Sequence, residues 1–214
     1  MAFFKIVIIP NSAAILDNSS LRAQVIRRIK DEFNDVAHKS QNAKVKEGFS
    51  VEFVKESDPI ASLAATDTKI PKTLFRVHLI AWKVRPDELL AKVLKVAPGF
   101  SAQSVVDQMK AEGGIGGRGP KGDNMAMVST NKFEDGLRID PKSNEWIEAG
   151  RQLGGLMAHE LGHAMGIAKN GKGLMAPVFD VNVSEPNPIS SAHFTADDTK
   201  IILKTLDEIA NTPG

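Results

Sequence analysis

In the stretch Met157-Ala158-His159-Glu160-Leu161-Gly162-His163-Ala164-Met165-Gly166-Ile167, two histidines stand four residues apart around a glutamate. On a helix, residues at that spacing share one face, one turn apart. Their imidazoles can converge on a single cation, and Zn²⁺ favours such nitrogen ligands. Glu160 follows the first histidine, within reach of a metal-activated water whose proton its carboxylate can accept. Leu153, Leu156, Met157, Leu161 and Met165 place the pattern on an apolar, buried helix. Gly166, three residues past the second histidine, is suited to ending that helix and turning the chain beneath the metal. The plainer alternative is a buried helix whose histidines bond to backbone. The full His-Glu-x-x-His constellation favours the metal.

Gly173-Leu174-Met175-Ala176-Pro177 follows shortly after. Together with His159 to Ile167 it resembles the metzincin metallopeptidases, and within them the matrixin-like branch. Thr195-Ala196-Asp197-Asp198 is similar to the Ser/Thr-x-Asp-Asp opening of that branch's C-terminal helix. The resemblance is specific over residues 153–177, extends loosely to the C terminus, and is vague before 140. It implies an α/β (α+β) fold: a twisted mixed sheet, an active-site helix, a Met-turn and a C-terminal helix. It implies Zn²⁺ as cofactor and a peptide or protein as substrate. By position, His159 and His163 match metal ligands, Glu160 the general base and Met175 the Met-turn methionine. The expected organisation is one catalytic domain over 1–214. Residues 1–166 form an N-terminal lobe with the active-site helix, and 167–214 a small C-terminal lobe.

The chain departs from the family at the third ligand. Three residues after the glycine, where the family has His or Asp, stands Lys169. An ammonium has no lone pair to give. The segment from Gly166 to Met175 is also shorter than is usual in matrixins. The third ligand is then another group, water, or absent. His193 is a candidate, although it precedes a helix N-cap by two residues, and Asp180 is a weaker one. Two functions follow: an active zinc endopeptidase, or a pseudo-peptidase that uses the same fold for binding. A third is a scaffold with structural histidines.

Composition narrows the field. The 214 residues carry 27 Lys+Arg against 26 Asp+Glu, a net charge of +1, which supports neither a nucleic-acid partner nor a polybasic membrane patch. Apolar residues at 42% and charged residues at 25% are globular proportions, and a monomer is expected. The absence of cysteine excludes thiolate zinc sites, disulfides and a cysteine nucleophile. Without tyrosine, an oxyanion would rest on the metal, backbone N–H groups or a basic side chain such as Lys169. The N-terminal Met1 to Pro10 reads as a strand, not a signal peptide. A cytoplasmic chain is expected as given, with a secreted mature domain as the alternative.

Outward from the motif, Phe3–Pro10, Phe49–Lys55 and Leu74–Val84 read as strands. A helix capped by Ser19 or Ser20 and running to about Val36 carries an apolar stripe of Leu21, Val25, Ile29 and Phe33. Two further helices are expected, over Glu88–Val96 and from Ser101 or Ser104 to Glu112. Asp140-Pro141 has the form of a cap with proline at the first helical position, and Gly154-Gly155 of an interruption. A C-terminal helix begins at Thr195 in a capping box, with Ile201, Ile202, Leu206 and Ile209 as its buried face. Gly113–Gly122 reads as a glycine-rich loop. Its Gly114-x-Gly116-x-x-Gly119 spacing lacks the strand-then-helix context of a nucleotide site. Met125–Val128 is the candidate edge strand for an extended peptide, with an inner strand as the alternative. Turn and cap chemistry accounts for Glu134, Asp135 and Asp140 better than calcium ligation.

Overall fold

The computed structural model describes residues 2–11, 13–62, 70–80, 114–118 (as backbone), 124–130, 133, 137, 142–168, 171–176 and 186–212. The protein is mixed α/β, with helices beside a five-stranded sheet in the order β2-β1-β3-β5-β4. The strands are β1 Phe4–Ile9, β2 Phe49–Phe53, β3 Leu74–Ile80, β4 Gly114–Arg118 and β5 Asn124–Ser129. Four run parallel, and β4 pairs antiparallel with β5 at the edge. The longer helices are α1 Ser19–His38, α4 Ser143–Ala164 and α6 Ala196–Asn211; α2 Ala43–Lys46, α3 Pro59–Ser62 and α5 Pro188–Ser191 are single turns.

The register explains the core. Ile6 pairs with Phe75, Ile8 with Val77, Val77 with Ala126 and Leu79 with Val128, so one sheet face is continuously apolar. The apolar stripe of α1 enters the same core against β2 and α4, with Leu21, Val25, Ile29 and Phe33 fully buried. Phe33 stands 5.4 Å from the Phe49 ring and 5.5 Å from the Phe194 ring, joining sheet, helix and the C-terminal segment. Full burial of a side chain of this size contributes about 1.5–3 kcal/mol.

Several local expectations change. The cap of α1 is Asn18, whose Oδ1 accepts the Leu21 N–H at 3.0 Å. Helix α4 begins at Ser143, where the Glu145 carboxylate accepts the Lys142 N–H at 2.7 Å; Asp140 and Pro141 lie outside the described residues. Gly154-Gly155 does not interrupt α4. A Cβ on Gly154 would lie 2.8 Å from Arg28 Cβ, and one on Gly155 would meet the Ile189 backbone. These glycines permit close packing against α1 and α5, which local propensity cannot reveal. The glycine-rich segment holds edge strand β4, and Met125–Val128 is inner, between β3 and β4. Ile201 is 39% exposed, while Ile202, Leu206 and Ile209 form the buried face of α6. The expected helices over 88–96 and 101–112 lie outside the described residues, as do Glu134 and Asp135. Among the described residues, no helix is long and apolar enough to cross a membrane.

Candidate metal centre

Helix α4 packs against β4 and β5 and carries His159, Glu160 and His163 near its C-terminal end. His159 and Glu160 are buried and His163 is half-buried. The helix stops as its sequence predicts. Gly166 has a φ of +107°, open to glycine and strained for other residues. Its N–H donates to His163 O at 3.0 Å, and the Ile167 N–H donates to Gly162 O at 3.1 Å, the pair of bonds of a Schellman turn. The reversal brings Ile167 O within 2.6 Å of His163 Nδ1.

A second turn serves the other histidine. Gly173–Met175 forms a short 3₁₀ turn whose Leu174 and Met175 side chains are fully buried. Leu174 O lies 2.8 Å from His159 Nδ1. Met175 packs under the helix at Gly162, where a Cβ would stand 2.9 Å from the sulfur and 2.9 Å from the Phe194 ring. Helix, turn and C-terminal segment thus meet at a position that only glycine fits.

These two carbonyls decide the chemistry of the imidazoles. A carbonyl oxygen only accepts, so each Nδ1 carries the ring proton and donates it. In the neutral ring, Nε2 then carries the lone pair. The two Nε2 atoms face each other at 3.2 Å, with ring centroids 4.9 Å apart. Two lone pairs so placed repel unless a cation lies between them. Nitrogens bound tetrahedrally to one zinc at 2.0–2.1 Å stand about 3.3–3.4 Å apart. The donor pair therefore fits zinc in both distance and protonation.

Among the described residues, no third His, Asp or Glu joins the pair in a group able to hold a metal. Lys169 and Asp180 lie outside the described residues. His193 is described, and its Nδ1 is 2.8 Å from Glu32 Oε2, while its backbone oxygen accepts the Leu174 N–H at 2.9 Å. His38 is exposed and His78 is buried in β3.

The sequence reading missed the orienting groups. The Leu174 and Ile167 carbonyls leave no trace in side-chain identity. Gly162 lies inside the quoted motif, and a glycine within an apolar helix is the one local signal of a close neighbour. Compared with known protein families and with curated proteins, the chain matches none.

Proposed function

We propose that this protein is a zinc-dependent endopeptidase of the metzincin kind, matrixin-like in its Met-turn and C-terminal helix. The observation that carries the reading is the paired Nε2 atoms at 3.2 Å, each ring fixed by a carbonyl at Nδ1. His159 and His163 would hold the metal. When bound, zinc polarises a substrate carbonyl and acidifies the attacking water. Glu160 is assigned to take the proton from that water and deliver it to the leaving amine. Met175 packs as the floor of the site and gives no electrons to it. The outer edge of β4 is suited to an extended peptide, because edge backbone can pair with a substrate strand. The antiparallel direction of β4 beside α4 and the Schellman turn at Gly166 also support the family likeness.

A second reading has its own observation. With two ligands and no third among the described residues, the same fold could bind a partner without hydrolysis, as a pseudo-peptidase. One shared proton, making an imidazole–imidazolium pair, would also satisfy the two Nε2 atoms. Elemental analysis of protein purified without added zinc, paired with a peptide-hydrolysis assay, separates these. The peptidase requires about one zinc per chain, lost in His159→Ala and in His163→Ala. It also requires hydrolysis that disappears in Glu160→Ala while the zinc stays. Absence of hydrolysis, with zinc weak or missing, selects the pseudo-peptidase. Unchanged zinc in either histidine variant removes the metal assignment.

A further inference from the structure

A buried ion pair far along the chain is tied by backbone to the first histidine. Arg28 and Glu32, on α1, are 8% and 3% exposed. Arg28 Nη1 donates to Glu32 Oε2 at 2.7 Å, and Arg28 Nη2 donates to the Ala192 carbonyl. Glu32 Oε1 accepts the Phe194 N–H at 2.8 Å, and Glu32 Oε2 lies 2.8 Å from His193 Nδ1. Three consecutive residues, 192 to 194, are thus held by two charged side chains one helical turn apart.

The same three residues shape the metal centre. His193 O accepts the Leu174 N–H, and Leu174 O accepts the proton of His159 Nδ1. The Phe194 ring fills the space beside Gly162 that Met175 also occupies. A rigid route therefore runs from the α1 ion pair through segment 192–194 and the Met175 turn to the His159 ring.

We propose that Glu32 and Arg28 are positioning residues for the metal centre, setting the Leu174 carbonyl that orients and polarises His159. This rests on the zinc reading for its affinity readout but not for its structural one. Burying two charges is an inefficient way to stabilise a fold, since apolar residues of similar size often serve as well. It is an effective way to fix a backbone segment, because charge-assisted bonds are short and directional. Groups that orient a ligating histidine typically account for 10–100-fold in metal affinity. The His193 imidazole makes one of the three bonds to this segment, while its backbone carbonyl is what lies on the route, so losing the ring should cost less than losing both charges.

The test compares full-length wild type with Arg28→Met/Glu32→Leu and with His193→Ala. The double variant replaces both charges with side chains of similar volume, so neither is left buried and unpaired. Two quantities are read. One is zinc affinity by competition titration at fixed pH. The other is the NMR signal of the His159 Nδ1 proton in metal-free protein, where its hydrogen bond to Leu174 O slows exchange. The double variant should bind zinc about 10-fold more weakly and lose or shift the His159 ring-proton signal. His193→Ala should stay within about threefold of wild type, well under a 10-fold orienting effect, with the signal kept. A folded double variant with wild-type affinity, or with an unmoved ring signal, would overturn the proposal. So would a His193→Ala loss equal to that of the double variant, which would place the role on the imidazole and not on the hold of Arg28 and Glu32 on the backbone of 192–194. If wild type binds no zinc, the metal reading fails, and the ring signal alone still decides the positioning role. Should the double variant not fold, Glu32→Gln is read the same way. It keeps one acceptor oxygen for the Phe194 N–H, so a smaller shift in the same direction is expected, and no shift would overturn the proposal.

Discussion

Gly162→Ala sets two physical effects of opposite sign against each other. Position 162 is inside α4, two residues from its end. By helix propensity alone, alanine in place of glycine there should stabilise by up to about 1 kcal/mol. The tertiary surroundings oppose this. The new methyl would stand 2.9 Å from Met175 Sδ, 2.9 Å from Phe194 Cε1 and 3.3 Å from Ile167 Cδ1. Met175 is fully buried and the Phe194 ring packs at a tilt against Phe33, so neither has free space to retreat into. Overpacking in a well-filled core costs about 1–3 kcal/mol. Contacts on two sides put this case in the upper half of that range, for a net destabilisation of about 1–2 kcal/mol after the propensity gain. For a chain of this length that is a fall of about 2–8 °C in Tm. The displaced Met175 turn should also draw Leu174 O away from His159 Nδ1 and weaken zinc binding. Thermal or urea unfolding checks the first effect, and a zinc competition titration the second. A variant as stable as wild type, or more so, would refute the packing reasoning, because propensity would then have won.

Met175→Leu should cost less than about 1.5 kcal/mol and leave zinc in place, since the sulfur is assigned to packing; loss of metal from the folded variant would make the thioether a ligand. Zinc affinity should fall as pH is lowered, because protons compete for both Nε2 lone pairs. The limiting slope is about a hundredfold per pH unit for two imidazoles, and titrations that show no pH dependence would exclude imidazole ligation. Lys169→His should tighten zinc by supplying the nitrogen that the family pattern has at that place. If wild type already binds as tightly as a three-ligand site and the variant adds nothing, a third ligand exists elsewhere, and Asp180→Ala is the next variant to titrate.

The sequence by itself determined what depends on local spacing. The four-residue interval in α1 gave the stripe that enters the core, and Thr195 with Asp198 gave the start of α6: Asp198 N–H donates to Thr195 Oγ1 at 3.2 Å and Thr195 N–H to Asp198 Oδ2 at 3.0 Å. The interval from His159 to His163 placed two imidazoles side by side, and Gly166 ended the helix, because one turn of helix and one left-handed residue are set by near neighbours. Only the tertiary structure decided the rest. Gly154 and Gly155 look like helix breakers until α1 and α5 are laid against them. The segment 114–118 looks like a loop until β5 supplies its hydrogen-bonding partner, since an edge strand rich in glycine has no side-chain period to betray it. Which nitrogen of each histidine holds the proton was settled by Leu174 and Ile167, through carbonyl groups that every residue carries and no letter of the sequence distinguishes.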